Sequence, residues 1–240
     1  MKTAICFTGT CRSLQHTHKN IKEKLIDPFG ECDVFMLVAK NPDSEKANTY
    51  FGNLPQLKTL LVEDEPEYDV SKLNFKPNWP SGKLSSKQVY IKMIESRKRC
   101  DKVLSLYEEK SDMTYDRVIF SRLDVKYFNN VSKIIADLPL SNLYVPDFHN
   151  SFGGVIDGYN DRFAVSDRKN MKTYFKIPDS IADFQSAGGE LHAETLLKWH
   201  LTKSRVPVDQ VPVRFTRVRP SGKEMDLRIE SQINWSLGDT

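Results

Sequence analysis

The sequence predicts one α/β domain built on a single, mostly parallel sheet flanked by helices. Three observations predict it. An apolar strand-like run at 2–7, a helix-period stretch at 14–26 and a second apolar run at 33–39 follow one another within the ~40 residues of a right-handed βαβ unit. Strand and helix patterns then alternate along the chain, the order that gives a parallel sheet between helices. The second half is spaced more like hairpins, which predicts an antiparallel addition to that sheet. The chain has 240 residues, enough for one domain with a sizeable core. Hydrophobic residues make up 39% and charged residues 28%, an ordinary folded composition rather than a disordered one.

In the first unit, the strand at 2–7 runs into Thr8-Gly9-Thr10-Cys11-Arg12-Ser13. That is a glycine turn and a polar helix entry, with Ser13 placed as the N-cap. Leu14, Thr17, Ile21 and Leu25 share one face of the helix, and Pro28 and Gly30 end it. Residues 33–39 form a fully buried strand. Residues 40–56 read as a polar connector and 57–62 as a third strand. Glu63-Asp64-Glu65 opens an acidic run that reads as a solvated loop. The loop extends past Trp79, which suits stacking on a sugar or base and equally suits pinning the loop to the body. A long helix follows from about 85 to 110. Val89, Met93, Cys100, Val103, Leu104 and Tyr107 form its apolar face, and Glu95, Arg97, Lys98 and Arg99 its solvated one.

The strand at 118–120 ends in Ser121-Arg122-Leu123-Asp124. A short helix at 131–138 and a strand at 142–145 follow, and Gly153-Gly154 permits close backbone approach. Residues 161–166 read as a strand, after which Asp167 caps a helix. A loop with Pro178 leads to a helix at about 190–202, and strands near 205–208 and 212–218 close the domain. The domain is thus placed at 1–218, with a tail at 219–240. The cysteines Cys6, Cys11, Cys32 and Cys100 make no CxxC pair and are read as buried free thiols.

The chemistry gathers at strand ends, where open α/β sheets bind ligands. Backbone amides at a helix start bind anions, and Arg12 adds a charged fork, so Thr8, Gly9, Thr10 and Arg12 suit a phosphate; a surface arginine at a helix start is the alternative. Gln88 and Lys92 lie one turn apart and read either as reaching a nucleotide or as plain surface residues. Arg122 and Asp124 place a cation and a carboxylate beside a diphosphate. Asp157, Asp161 and Glu194 are candidate bases. Asp161 serves equally as a strand-start cap or an ion pair to Arg162, and Glu194 as a solvated helix residue. His149 and His192 are isolated histidines of the kind that occasionally ligate metal.

These segments, in order, resemble small GT-A-fold glycosyltransferases of bacteria and large DNA viruses. The carriers are Ile5 to Ser13, the Asp33-Val34-Phe35 strand, the Gln88 helix, Tyr115 to Asp124 and Asn160-Asp161-Arg162-Phe163-Ala164. The chain is similar in particular to the chlorella-virus domains that decorate a capsid protein. The resemblance covers about residues 1–215. It implies a GT-A fold, a nucleotide-sugar donor (typically UDP-linked), a glycan or glycoprotein acceptor, and Mn²⁺ or Mg²⁺ at an Asp-X-Asp motif. Here that motif reads Arg122-Leu123-Asp124, which leaves Asp124 as its one metal carboxylate. Asp161 matches the Asn-Asp-Arg-Phe segment and is the preferred catalytic carboxylate, with Glu194 beside it.

Other classes are weaker. A non-catalytic nucleotide- or glycan-binding module of the same fold is the main alternative, kept open by the incomplete motif. A net charge of +3 gives no strong affinity for nucleic acid. No apolar run approaches the ~20 residues that span a bilayer. With residues 1–9 unlike a signal peptide, a cytoplasmic location without membrane insertion is expected.

Overall fold

The computed structural model describes residues 1–77, 84–152 and 156–225. The first half runs β1 (Thr3–Gly9), α1 (Leu14–Ile21), β2 (Asp33–Ala39), α2 (Glu45–Phe51), β3 (Leu57–Glu63), α3 (Leu84–Lys110) and β4 (Arg117–Arg122). The chain continues through β5 (Val125–Tyr127), α4 (Val131–Ile135), β6 (Leu143–Pro146), β7 (Ser151–Phe152), β8 (Ile156–Asp157) and β9 (Phe163–Ser166). It closes with α5 (Arg168–Phe175), α6 (Ile181–Ser186), α7 (Ala193–Lys203), β10 (Val208–Val211) and β11 (Phe215–Arg217).

Seven of these strands form one sheet in the order β10-β6-β9-β4-β1-β2-β3. β1 pairs in parallel with both β2 and β4, β2 with β3, and β6 with β10. β9 alone runs antiparallel to its neighbours β4 and β6. The sheet is therefore mixed and mostly parallel, as the sequence predicts. β5 and β11 form a separate antiparallel pair.

Both faces of the sheet are covered, so its central strands read as continuous apolar runs. Successive residues alternate between the faces. Ala4, Cys6, Val118 and Phe120 face one core together with Ile94 and Leu104 of α3, Tyr174 of α5 and Leu197 of α7. Ile5, Phe7 and Ile119 face the other with Leu14, Ile21, Phe51 and Ile135. All four cysteines are buried and unpaired.

The structure departs from the sequence reading where a short helix is held by one or two anchors. Residues 45–51, expected as connector, form α2, because Ala47 and Phe51 are four apart and bury the same side. Residues 181–186, expected as loop, form α6 around the buried Phe184. The strands expected at 205–208 and 212–218 are found at Val208–Val211 and Phe215–Arg217. Proline has no N–H to give a ladder, and each strand starts after one, Pro207 or Pro212. Asp167 caps α5 as expected, its side chain accepting from the Asn170 N–H at 2.7 Å. Ser13 holds the N-cap position of α1 but makes no cap bond. Its hydroxyl donates instead to the Val218 carbonyl at 2.6 Å.

On α3 the buried face is rotated from the expected one. Val89 is 59% exposed, whereas Arg97, expected in solvent, is fully buried. The physical reason is an ionic partner on another element, described below. Trp79 and the Gly153-Gly154 pair lie outside the described residues, as do residues 226–240 of the expected tail. The preceding residues still pack: Val218 bridges Glu224, and Lys126 Nζ reaches Glu224 Oε1 at 2.6 Å.

Candidate active site

A cavity of about 350 Å³ opens at the carboxyl ends of β1, β2 and β4. The chain order reverses there: from β1 the sheet grows through β2 and β3 on one side and through β4 on the other. Such a switch point leaves a crevice that strand-connecting loops do not fill. Its wall is made by Thr8, Gly9, Thr10 and Arg12 after β1, Ala39 to Asp43 after β2, and Phe120, Arg122, Leu123 and Asp124 at the end of β4. Val89, Lys92 and Met93 of α3 and Glu65 complete it.

Local structure sets these positions. Thr8 lies level with Arg122 across the β1–β4 ladder. Gly9 ends β1 at φ +117°, a conformation that L side chains rarely adopt, and so turns the chain toward Arg12. Arg12 is exposed, donates to Thr10 Oγ1 at 3.3 Å, and has no ion-pair partner among the described residues.

Asp124 and Arg122 form a two-pronged ion pair. Arg122 Nε donates to Oδ1 at 2.8 Å and Nη2 to Oδ2 at 2.7 Å. β4 ends at Arg122, and Leu123 and Asp124 make the turn into β5; that turn brings the two charges together while Leu123 is buried in the core. Burial opposes the Asp124 charge, but Arg122, Arg217 and Arg162 outweigh it and hold the carboxyl below its ordinary range.

A second charged group lies buried next to this one. Asp161 is 2% exposed and accepts from Arg97 Nη2 at 2.6 Å. The Arg97 guanidinium sits 4.9 Å from the Phe120 ring centroid and 5.6 Å from that of Tyr174. Burial again opposes the carboxylate, and Arg97, Arg162 and Arg122 overcome it, holding Asp161 at about 2. Glu194, in the first turn of α7, approaches Arg162 Nη2 at 3.4 Å and His192 Nδ1 at 3.3 Å. Its carboxyl is pushed up, first by burial and then by the Asp161 charge. Burial holds His192 down at about 4, so it is neutral near pH 7.

The structure thus brings Thr8, Gly9, Thr10, Arg12, Lys92, Arg122 and Asp124 to one cavity. Gln88 does not line it. Its side-chain amide pairs with the Tyr68 backbone in both directions and fastens the 65–70 loop to α3. Lys92, one turn on, pairs with Glu67 of the same loop while lining the cavity. Glu65, assigned to a solvated loop, is in the cavity wall, and burial raises its pKa. Asp161 and Glu194 do not line the cavity; both are buried and act on Arg122 through the field they share with it. Asp157 is largely exposed and pairs with Lys198.

Sequence reasoning missed Arg97 and Arg217. Arg97 recurs with Ile94 and Asp101 on the buried spacing of α3, a signal that its charge conceals. Arg217 lies on β11 beside Asp124, whose carbonyl accepts from the Val218 N–H at 2.8 Å. It makes no ion pair among the described residues. Burial, then Arg162 and Arg122, lower it to about 10.

The donor set does not fit a divalent cation held by the protein. Mn²⁺ and Mg²⁺ need carboxylate oxygens free to coordinate, and both oxygens of Asp124 are taken by Arg122. Among the described residues no three His, Cys, Asp or Glu side chains converge as a ligand set; His149 and His192 supply no such group.

This architecture is shared with sugar-transferring enzymes. The apo structure of mouse xyloside xylosyltransferase 1 superposes with a TM-score of 0.51 at 10% identity, over 88% of this chain and 85% of that one. The galactosyltransferase LgtC, solved with donor and acceptor sugar analogues, gives 0.49 at 13% identity over 85% and 72%. GlyE of Streptococcus pneumoniae gives 0.45 at 14% identity; 87% of this chain matches, spanning 45% of the GlyE chain. The mouse enzyme carries the fold comparison, and the fold is of the GT-A type. By sequence, residues 1–221 match the family described as a domain of unknown function, DUF7796, and the chain belongs to that family. Among curated proteins no sequence matches.

Proposed function

We propose that the chain is a glycosyltransferase that moves a sugar from a nucleotide-sugar donor, UDP-linked in the first instance, to a hydroxyl of a glycan or glycoprotein. The observation that carries this is the cavity at the switch point, where a glycine turn and Arg12, Lys92 and Arg122 converge on a space of nucleotide-sugar scale. The viral side of the resemblance suggests a glycoprotein acceptor. We also propose a cytoplasmic location. Among the described residues no helix is long and apolar enough to cross a membrane.

In the reaction the bond from the anomeric carbon to the β-phosphate oxygen breaks, and its electron pair stays on that oxygen. A bond from the acceptor oxygen to the same carbon forms, and the hydroxyl proton passes to a general base, for which Glu194 is the candidate. The transition state is oxocarbenium-like, and negative charge grows on the diphosphate. Arg122 and Arg12 stabilise that charge. Asp161 is a positioning residue in this account: a buried carboxylate at about 2 is a weak base and holds Arg97 in place. Glu194, with its raised pKa, is the better proton acceptor of the two.

The test is release of UDP from a panel of UDP-sugars, each with Mn²⁺, with Mg²⁺ and with EDTA, and with and without glycan acceptors. Turnover supports the enzyme. A specific observation favours a second reading, a non-catalytic nucleotide- or glycan-binding module: both candidate carboxylates are buried outside the cavity. UDP-sugar binding without release under every condition would favour that module.

A further inference from the structure

The geometry points to a site in which guanidinium groups, rather than a divalent cation, hold the donor's diphosphate: Arg122 in the cavity wall, with Arg12 and Arg217 beside it. This rests on the nucleotide-sugar reading above and deepens it.

The first observation is the occupancy of Asp124. An Asp-X-Asp strand end places two carboxylates on one side of the chain, where they repel and call for a cation. In Arg122-Leu123-Asp124 the cation is covalently built in, and it satisfies the remaining carboxylate with two hydrogen bonds. A metal ion at Asp124 would have to displace a guanidinium and then sit beside it.

The second observation is an excess of unpaired arginine at this end of the sheet. Arg97, Arg99, Arg162, Arg168 and Arg214 each have a carboxylate partner. Arg12, Arg217 and Arg219 have none among the described residues; Arg117 and Arg205 also have none but do not line this end of the sheet. The fold gathers the first three. The Ser13 hydroxyl, next to Arg12, bonds the Val218 carbonyl at 2.6 Å, between Arg217 and Arg219. His16 approaches the Pro220 carbonyl at 3.2 Å. On the other side, the Val218 N–H bonds the Asp124 carbonyl. The 217–220 segment is thereby clamped between the β1–α1 turn and the end of β4.

Arg217 is partly buried, and burial first, then the neighbouring Arg162 and Arg122, depress its pKa. Among the described residues, Arg162 Nε, also buried, has no hydrogen-bond partner. Cations crowded in this way repel one another until an anion arrives. A diphosphate supplies that charge, and planar guanidinium forks match its oxygens. During transfer the same groups receive the charge that develops on the leaving oxygen, with no exchange of metal ligands.

The experiment measures UDP and GDP binding by calorimetry to the whole chain in EDTA and in Mn²⁺, with Arg12→Ala and Arg217→Met as variants. Arg12 is exposed and Arg217 lies on a short peripheral strand, and matching thermal melts without ligand confirm folding. Affinities in EDTA and Mn²⁺ should agree within about twofold, whereas one lost charge-assisted contact weakens binding about 10- to 100-fold. Each variant should show that loss in both buffers. Binding that requires Mn²⁺, or variants that bind as wild type does, would overturn this inference and leave the glycosyltransferase reading standing. No diphosphate binding in either buffer would overturn both.

Discussion

Replacing Asp161 by asparagine should destabilise the protein substantially while leaving its shape intact. The substitution keeps the side-chain volume and removes one charge, so Arg97 is left charged at 0% side-chain exposure. Among the described residues its Nε and Nη1 atoms lack hydrogen-bond partners, and the neutral contact from Nη2 to the Asp161 backbone carbonyl at 2.9 Å does not replace the lost charge. Two estimates bracket the cost. Asparagine mimics the protonated acid, and holding the carboxyl at about 2 instead of its ordinary 3.8 corresponds to about 2 kcal/mol. Removing one partner of a buried pair typically costs about 3–5 kcal/mol. At about 2–4 °C per kcal/mol for a chain of this size, the melting temperature should fall by about 5–15 °C. The pH dependence has a definite sign. The folded pKa is depressed, so the stabilisation is complete above the unfolded value near 3.8. It is lost as pH falls toward about 2. Differential scanning fluorimetry from pH 7 down to acid should therefore show the gap between wild type and variant closing below about pH 4. Adding Arg97→Met to Asp161→Asn should recover part of the loss, because the orphaned cation is gone. A single variant that melts within about a degree of wild type at pH 7 would refute the claim that this pair holds the site together.

The raised pKa of Glu194 gives the opposite sign: its charge is unfavourable when folded, so Glu194→Gln should gain stability relative to wild type as pH rises from acid to neutral, read from melting curves at each pH. Gly158 backs onto Glu194, and a Cβ there would lie 2.5 Å from the Glu194 carbonyl carbon. Gly158→Ala should shift the start of α7 and cost about 1–3 kcal/mol in denaturant unfolding. Gly9→Ala meets no atom within 4 Å but must adopt φ +117°, so it should cost about 1–3 kcal/mol from backbone strain alone and weaken nucleotide binding at the cavity. A thiol reagent should find none of the four buried cysteines in the native protein and all four after denaturation.

The parts of this molecule that were legible in the sequence are those set by local rules. Strands β1, β2 and β4 show as apolar runs because the sheet buries both their faces. The Gly9 turn and the Arg122–Asp124 strand end follow from chain chemistry and fall at one cavity. What could not be read depends on partners distant in sequence. Arg97 has the look of a solvated residue among Glu95, Lys98 and Arg99, and only the carboxylate at position 161 explains its burial. Gln88 and Lys92 share a helix side, yet one holds a loop and the other faces the cavity, a division made by where Tyr68 and Glu67 lie. Glu65 belongs to an acidic run whose composition signals solvent, and the fold turns that residue into the cavity wall. Arg217 gains meaning only when β11 pairs with β5 and sets it beside Asp124.

The two carboxylates that the sequence offered for catalysis show why burial changes a role. Asp161 and Glu194 lie in one field with Arg97, Arg122 and Arg162, but that field divides them. The arginines fix Asp161 as a permanent anion, and that fixed charge raises the cost of a second one at Glu194. Burial and that fixed charge together push the Glu194 carboxyl above its ordinary range. Arg122 connects this buried pair to the cavity: it holds Asp124 by direct bonds and is itself held in charge by Asp124, Asp161 and Glu194. A change of protonation at Glu194 is therefore felt at Arg122 in the cavity wall, as well as at Arg162 and Arg217, and in the proposed reaction it would bear on the group that receives the leaving-group charge.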